Sequence, residues 1–372
     1  MHLLALTTHL VSDVLGHARE LHPAEVHAQA AMDWLCRAHD AGPDGGVPLR
    51  YSMLKGWDAS YPETTGYIIP TFFLYAAHTG KDEYFQRAVR MAEWELSIQQ
   101  ADGSFNGGAV GSGYGSFVFD TGQIVFGLLA AHKATGKDHF LEGALRAGAW
   151  LTQVQDPDGA WRRYTFNAIP HVYYTRVAWA LAKLGVYVND HSYTRAARLN
   201  VDWALTSQQK NGWFDHAGFT ETAHAAPYTH TIAYTIRGIL ETGLLLDDPH
   251  YLDAARQSAD VLATVIRSDG SYADTYHRDW RSPSSVSCLT GNAQIAIILL
   301  RLSQNRSNAD YTQAAQKAAR FLCRRQSLIG PPETRGAIAG SYPIWGRYQR
   351  FAFPNWATKF FVDLLLLEKG IH

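Results

Sequence analysis

The sequence predicts an all-α protein, an (α/α)6 toroid of six helical hairpins that form one domain over residues 1–372. Three observations predict this fold. A glycine recurs at intervals of 53–60 residues, an aromatic residue stands nineteen positions before five of these glycines, and a strongly apolar segment follows each of them. Fixed spacing of this kind is the signature of a repeated structural unit.

The recurring glycine marks the end of a helix in each repeat. It follows an aspartate or asparagine in five places, and a weaker sixth copy follows an isoleucine: Asp44-Gly45, Asp102-Gly103, Asp158-Gly159, Asn211-Gly212, Asp269-Gly270 and Ile329-Gly330. Glycine adopts the left-handed conformation that commonly closes a helix. Each repeat therefore contains one helix before the glycine and a second helix after it.

The helix before each glycine is amphipathic. Its aromatic landmark is Tyr84, Phe140, Tyr193, Tyr251 or Tyr311, and apolar residues follow at steps of three and four. The segments after the glycines are apolar on most faces, which predicts buried helices. They cover residues 67–77, 124–134, 177–184, 232–246, 293–302 and 360–367. The charged helices thus form an outer layer around an inner one.

A closed ring explains the repeat better than an open solenoid. Ordinary helical solenoid repeats span about 33–47 residues, and these are longer. The terminal repeats also lack the polar faces that cap an open array, since residues 360–367 read FFVDLLLL. No convincing alternation typical of strands appears, which disfavours an α/β fold.

Charge and composition exclude several functions. The 33 basic and 34 acidic residues give a net charge of −1, whereas nucleic acids and anionic membranes require a basic surface. The N-terminal segment predicts an amphipathic helix rather than a signal peptide, so we expect a cytoplasmic protein. The three cysteines and the histidines match no ligand signature, so we expect no metal and no cofactor.

Aromatic residues are abundant, with 11 Trp, 19 Tyr and 16 Phe. Such side chains can stack on the flat faces of sugars. Trp94, Trp150 and Trp203 recur with the repeat and are predicted to be core. The other candidates lie in the loops that lead into inner helices, and they are Trp57, Trp280, Trp345 and Trp356.

Two carboxylates occupy equivalent places in the first two hairpins. Glu63 and Asp120 each precede a Thr-Gly pair, at Thr65-Gly66 and Thr121-Gly122. In a ring the inner helices converge, so the two carboxyl groups would face one cavity at its mouth. Paired carboxylates perform acid and base catalysis at a glycosidic bond. The alternative is that both merely stabilise the first turn of a helix.

A second group supports a different chemistry. Tyr174 and His230 are candidate proton donors and acceptors, and Arg176 could bind a carboxylate, as in uronate lyases and epimerases. The alternative is that these are hydrogen-bonded interior residues. The predicted substrate-binding residues are Trp57, Asp58, Tyr61, His171, Arg176, Tyr234, Asp279, Trp280, Trp345 and Tyr348, and Glu221 and His224 lie in the same loop set.

The hairpin series resembles the six-hairpin toroid superfamily of carbohydrate-active enzymes over about residues 24–370. Its members include unsaturated glucuronyl and rhamnogalacturonyl hydrolases, N-acylglucosamine 2-epimerases and the toroid domain of glucuronyl C5-epimerases. The hydrolases carry two acids about one hairpin apart, as Glu63 and Asp120 do, although Glu63 stands where they have aspartate. The segments GWDASYPETTGYIIPT and FDTGQIVFGLL are also similar to toroid proteins of bacterial exopolysaccharide pathways.

The resemblance implies a carbohydrate-active enzyme, most simply a hydrolase of an oligosaccharide or polysaccharide with Glu63 and Asp120 as acid and base. A uronate epimerase or lyase and a non-catalytic glycan-binding protein are the alternatives. The Gln and Trp residues of the repeat also resemble those of squalene-type terpene cyclases, but the Asp-x-Asp-Asp motif of those enzymes is absent. LanC-like cyclases share the ring but need a Cys/Cys/His zinc site.

Overall fold

The computed structural model describes residues 2–16, 18–220 and 226–371, and they form a closed double ring of helices. The outer helices are α2 (Ala24–Ala41), α4 (Asp82–Ile98), α6 (Asp138–Gln153), α8 (His191–Leu205), α10 (Pro249–Thr264) and α12 (Ala309–Cys323). The inner helices are α3 (Pro62–Thr79), α5 (Val118–Thr135), α7 (Thr175–Val188), α9 (Thr229–Leu246), α11 (Leu289–Asn305) and α13 (Asn355–Glu368). The predicted all-α toroid is confirmed.

Each inner helix packs on the next one around the ring. The contacts run from α3 through α5, α7, α9 and α11 to α13, and α13 returns to α2 and α3. The inner helices are buried on nearly all faces, whereas the outer helices bury one stripe that includes the aromatic landmark of each repeat. Burial of both layers explains why the sequence shows one apolar and one amphipathic helix per hairpin.

The turn after each outer helix joins neighbouring hairpins. Gly103 and Gly159 have φ of +94° and +91°, and a side chain at either would collide with the backbone of the next outer helix. Gln99 donates to the carbonyl of Gly103 (3.0 Å) and to that of Gly143 in α6 (2.9 Å). Gln155 repeats this bridge one hairpin later. The Gln residues of the repeat therefore have a structural role.

The sixth copy of this turn uses a different glycine from the one that the spacing indicates. Gln326 donates to the carbonyl of Gly336 (2.7 Å) and to that of His27 in α2 (3.0 Å). A Cβ atom on Gly336 would collide with the carbonyl of Ala30, whereas nothing lies within 4 Å of one on Gly330. The last turn is longer than the others, so fixed spacing points six residues too early.

Short strands in the loops fasten the ends of the ring together. Strand β1 (Arg50–Ser52) pairs antiparallel with β2 (Gly56–Trp57) and with β5 (Ala352–Pro354), so the first hairpin is joined to the last. Strands β3 (Ser287–Cys288) and β4 (Ser341–Tyr342) pair in the same way between the fifth and sixth hairpins. All of them lie on the side of the ring where the inner helices begin.

The N-terminal segment forms helix α1 (His2–Val14), as predicted. It packs beside the loop before α13, where Asp13 accepts a hydrogen bond from the backbone amide of Ile344 (2.8 Å). Of the periodic tryptophans, Trp94 and Trp150 are buried and Trp203 is half-buried against the core. In the described part of the chain, no helix is long and apolar enough to cross a membrane.

Candidate active site

A cavity of about 450 Å³ opens where the inner helices begin, and we call it the mouth cavity. Seven of the fourteen predicted site residues line it: Tyr61, Glu63, Asp120, Tyr174, His230, Tyr234 and Tyr348. The other residues of its wall are Leu49, Tyr67, Phe117, Phe119, Phe166, Tyr173, Phe219, Tyr228, Thr231, Arg347, Gln349 and Trp356. Its volume lies within the range of small-molecule sites, and its wall is aromatic with a few convergent polar groups.

The Thr-Gly pairs place the two carboxylates at the same level of the ring. The hydroxyl of Thr65 accepts a hydrogen bond from the amide of Val47 (2.9 Å), and that of Thr121 accepts one from the amide of Phe105 (3.0 Å). Each threonine thus fastens the incoming loop to the first turn of an inner helix. Since Glu63 stands two residues before Thr65 and Asp120 one before Thr121, both reach the cavity from adjacent helices.

Glu63 is held as the more readily ionised member of the pair. Burial raises its pKa to about 7, while the hydrogen bond from the Tyr61 hydroxyl and the positive charge of Arg176 oppose that rise. Hydrogen bonds and cations that stabilise a carboxylate favour its charged form. Near neutral pH, Glu63 therefore changes between its acid and its carboxylate.

Asp120 keeps its proton to higher pH. Burial, and then the neighbouring charge of Glu63, hold the pKa of Asp120 well above its ordinary value. The amide of Gly108 donates to its carboxyl group (3.0 Å) and opposes that rise. Two acids at one site with unequal partners titrate in separate steps. At pH values above the pKa of Glu63, the proton that the pair retains therefore resides on Asp120.

A third carboxyl group lies behind this pair, on the outer helix α4. Glu95 is fully buried, and neither of its oxygens has a hydrogen-bond partner among the described residues. Burial, followed by the charges of Asp120 and Asp44, holds its pKa well above the ordinary value. Burial therefore favours the neutral form of this carboxyl group.

His230 contributes a neutral hydrogen-bonding group. Burial and the charge of Arg176 lower its pKa to about 3. Its Nδ1 lies 2.9 Å from the amide nitrogen of Gln294, which donates to it, so the ring carries its proton on Nε2. Nε2 has no partner among the described residues and can donate to a hydroxyl group of a ligand.

Tyrosines supply most of the remaining polar surface. Tyr234 packs on the ring of His230 with centroids 4.2 Å apart, and Tyr348 packs on the same ring at 5.4 Å. Burial raises the pKa of Tyr174, whose hydroxyl accepts a hydrogen bond from the amide of Phe166 (3.3 Å). These phenols stay protonated and act as hydrogen-bond donors and stacking surfaces.

The other seven predicted site residues do not line the mouth cavity. Trp57 belongs to strand β2, and its ring packs against that of Trp34 on helix α2, with ring centroids 5.5 Å apart. Asp58 forms an ion pair with Arg50 (2.7 Å). Trp345 is half-buried beside the core. These three side chains are held by contacts outside the mouth cavity.

The remaining four are held by other contacts. His171 lies between the carbonyl oxygens of Phe166 (2.8 Å) and Gly218 (3.1 Å). Trp280 is buried and donates to the carbonyl of Asn211 (2.9 Å). Asp279 is exposed beside Arg281. Arg176 packs behind Tyr234, 4.5 Å from the centre of its ring. Glu221 and His224 lie outside the described residues.

Sequence reasoning missed part of the aromatic wall. Phe166 and Phe219 come from the loops before α7 and α9, and their ring centroids are 5.7 Å apart. Gln349 accepts a hydrogen bond from Arg50 (2.7 Å) and lies in the loop before α13. None of the three follows the repeat, so no periodicity marks them. Among the described residues, no cluster of three His, Cys, Asp or Glu could hold a metal ion.

The ring and the aromatic, carboxyl-bearing cavity at its mouth define a carbohydrate-active enzyme of the toroid class. Residues 46–268, more than half of the chain, match the family model described as β-L-arabinofuranosidase, GH127 catalytic domain, so the chain belongs to that family. It is a glycoside hydrolase-like enzyme, as the sequence predicted. Among curated protein sequences, none matches this chain.

Solved structures share the fold at low identity. One is an unsaturated glucuronyl hydrolase specific for heparin, with a TM-score of 0.76, 18% identity, and coverage of 94% of this chain and 98% of the other. The unsaturated glucuronyl hydrolase from Bacillus sp. GL1 has a TM-score of 0.76 and 17% identity, with coverage of 94% of this chain and 97% of the other. The cellobiose 2-epimerase from Bacillus thermoamylovorans has a TM-score of 0.73 and 10% identity, with coverage of 98% of this chain and 99% of the other. They confirm the predicted toroid fold.

Proposed function

We propose that this protein releases a terminal sugar from an oligosaccharide by hydrolysis, with Asp120 as general acid and Glu63 as the catalytic carboxylate. The observation that carries the proposal is the pair itself. Two buried carboxyl groups on adjacent helices share one cavity. Their surroundings give them different pKa values, so that Asp120 serves as the acid and Glu63 as the carboxylate. Such a separation is how two similar acids perform acid and carboxylate chemistry at one pH.

The bond-breaking step follows from these protonation states. The protonated Asp120 gives its proton to the leaving oxygen as the bond from the anomeric carbon breaks. Glu63 either attacks that carbon or takes a proton from the attacking water, and in both cases its negative charge stabilises the oxocarbenium-like transition state. Tyr61 holds the Glu63 carboxylate in place through its hydroxyl group.

The size of the cavity supports release of one terminal unit. About 450 Å³ lies in the lower half of the range for small-molecule sites. Phe166, Tyr173 and Phe219 form a wall of ring contacts on one side. Those rings can stack on the face of a sugar, while His230 Nε2 donates to a hydroxyl group.

The uronate chemistry of the alternative hypothesis is less well supported by this cavity. That hypothesis assigns the guanidinium group to Arg176, which lies behind Tyr234 and does not line the cavity; the guanidinium group in the cavity wall belongs to Arg347. His230, with its pKa lowered to about 3, is a weak base. The epimerase fold fits this chain, yet these side chains favour hydrolysis.

The test is a panel of 4-nitrophenyl glycosides that begins with the β-L-arabinofuranoside, the sugar in the family's description, and continues with hexosides and uronides. We expect release of nitrophenolate from one member and of free sugar from the matching oligosaccharide. NMR of the first product assigns Glu63: a retained anomer makes it the nucleophile, and an inverted anomer makes it the base. Incorporation of solvent deuterium without cleavage would instead indicate epimerisation.

A further inference from the structure

A second cavity occupies the opposite end of the ring, and we call it the far cavity. Its volume is about 260 Å³, and all six inner helices contribute to its wall. On α9, for example, Arg237 and Glu241 line it, one to three turns beyond the His230 and Tyr234 of the mouth cavity. Nothing in the proposed reaction uses this end of the ring.

The far cavity is strongly basic. Its wall carries five cationic side chains and two carboxylates, a surplus of three positive charges. Glu241 is shared between Arg237 (2.9 Å) and Arg301 (3.1 Å), and Asp363 pairs with Lys359 (2.5 Å). The remaining cations are Arg176 and Lys183.

Neither of those two cations forms an ion pair with a carboxylate among the described residues. Nε of Arg176 donates to Gln123 (3.0 Å), but neither terminal nitrogen has a hydrogen-bond partner among the described residues, and Nη1 is fully buried. Lys183 has neither an ion pair nor a hydrogen bond in the same residues, and its nearest ring is Phe126 at 5.9 Å. The two lie seven residues apart on α7 and so share one face of it. An unpaired buried charge is costly unless a ligand completes it.

Stabilisation of helix ends does not explain this cluster. Cations are favourable near the C-terminus of a helix, where the dipole is negative. Arg176 and Lys359, however, lie in or near the first turns of α7 and α13, where a positive charge is unfavourable. Burial also lowers the pKa of Lys359 to about 8. Within the folded protein Arg176 packs on aromatic rings, and Lys359 pairs with Asp363 and packs on Phe360.

We propose that the far cavity is a binding site for a phosphate group, free or carried by a small organic molecule. A tetrahedral dianion is attracted by the surplus of positive charge. Proteins usually bind phosphate through arginine guanidinium groups, which donate two parallel hydrogen bonds, and through lysine. The volume is too small for an oligosaccharide. Arg176 and Lys183 supply the unpartnered donors, and Arg301 on α11 and Lys359 on α13 close the site from the other side of the ring.

Occupancy would be felt at the mouth cavity through two shared side chains. Tyr67 lines both cavities, and its hydroxyl lies 3.5 Å from that of Tyr234. Arg176 packs on Tyr234, and its positive charge favours the Glu63 carboxylate. A phosphate beside Arg176 would offset that charge. This link rests on the proposed function, whereas binding itself does not.

The experiment is calorimetric titration of the whole protein with inorganic phosphate, sodium chloride being used to hold ionic strength constant. Lys183→Gln removes one unpartnered cation, and Lys133→Gln on α5 is the matched control, because Lys133 is exposed and outside the cavity. We expect saturable one-to-one binding that is weakened about tenfold or more by Lys183→Gln and unchanged by Lys133→Gln. Ribose 5-phosphate tests whether the group is carried by an organic molecule.

Three outcomes would overturn the proposal. They are no saturable heat with either phosphate, equal affinity of Lys183→Gln and wild type, or tighter binding of malonate, which would assign the cavity to dicarboxylates. Thermal unfolding keeps the variant informative, since removal of an unpaired cation should leave the ligand-free protein at least as stable as wild type. All of these readouts are independent of catalytic activity.

Discussion

A Cβ atom on Gly66 would lie 2.6 Å from the Cα atom of Ile124, so helices α3 and α5 touch backbone to backbone. This contact is one turn beyond Glu63 on α3 and Asp120 on α5. The glycine that follows Thr65 is what lets the two carboxyl-bearing helices approach so closely. The spacing of the catalytic pair is therefore set by packing and not only by the loops.

Gly66→Ala should separate the two helices. Overpacking of this kind costs roughly 1–3 kcal/mol of unfolding free energy, and displacement of a catalytic group by 1 Å can cost on the order of 100-fold in kcat. Thermal unfolding and kcat measure both effects. Gly115→Ala is the control, since nothing lies within 4 Å of the added atom. An unchanged kcat in a stable Gly66→Ala variant would refute the packing argument.

Tyr61→Phe should move the acidic limb of the pH–rate profile. The variant loses the hydroxyl group that donates to Glu63 and favours its carboxylate. The pKa of Glu63 should therefore rise, and the acidic limb of kcat/KM should move to higher pH by roughly one unit. Tyr228→Phe removes a phenol elsewhere in the cavity and should leave this limb in place. A shift toward lower pH would contradict the assignment of Glu63.

Stability should depend on pH through the same pair. Because the pKa of folded Glu63 is raised from 4.5 to about 7, the folded state binds more protons than the unfolded chain between these values. The free energy of unfolding consequently falls as pH rises through that window. The Glu63→Gln/Asp120→Asn variant lacks both titrating groups and should gain at least about 2 kcal/mol on wild type between pH 4 and pH 8.

Urea unfolding at several pH values measures that gain. Asp279→Asn is the control, because Asp279 is exposed and its replacement should shift the free energy equally at each pH. A constant difference between wild type and the double variant would mean that the pair is not held in a desolvating cavity.

The Gln bridges predict a purely structural effect. Gln99→Leu removes the hydrogen bonds to Gly103 and Gly143, and the loss of the two hydrogen bonds should cost about 1–3 kcal/mol of unfolding free energy. Among the described residues, the side chain of the adjacent Gln100 bonds only to the carbonyl of Ile98, and it is exposed. Gln100→Leu should change stability little. Similar losses in both variants would show that the bridge is unimportant.

The repeated features of the fold could be predicted from the sequence because each carries a local physical signal. Glycine at a positive φ and the apolar inner helix recur in every hairpin, and the aromatic landmark stands before five of the six glycines. Glu63 and Asp120 were found in the same way, since both precede a Thr-Gly pair whose threonine fastens the incoming loop. The regular spacing also gave one wrong prediction, Gly330, because the sixth turn is longer than the others.

The irregular loops could not be predicted with equal success. Trp280 and His171 are close in sequence to the starts of inner helices. Their ring nitrogens, however, contact backbone carbonyl oxygens that are distant in sequence. Arg176 follows Tyr174 closely in sequence, but its guanidinium group packs behind Tyr234 and lines the far cavity instead of the mouth cavity. Phe166 and Phe219 approach each other only in the folded ring.

The central claim is that Asp120 donates the proton and Glu63 acts as the carboxylate in glycosidic cleavage. The most direct test is kcat/KM of Asp120→Asn and Glu63→Gln on the active 4-nitrophenyl glycoside and on the matching oligosaccharide, with Asp279→Asn as the control. Asp120→Asn should lose roughly 10²–10⁴-fold on the oligosaccharide and far less on the nitrophenyl substrate, whose leaving group needs no proton. Glu63→Gln should lose kcat/KM on both the nitrophenyl glycoside and the oligosaccharide. Near-wild-type cleavage of the oligosaccharide by Asp120→Asn would contradict the account.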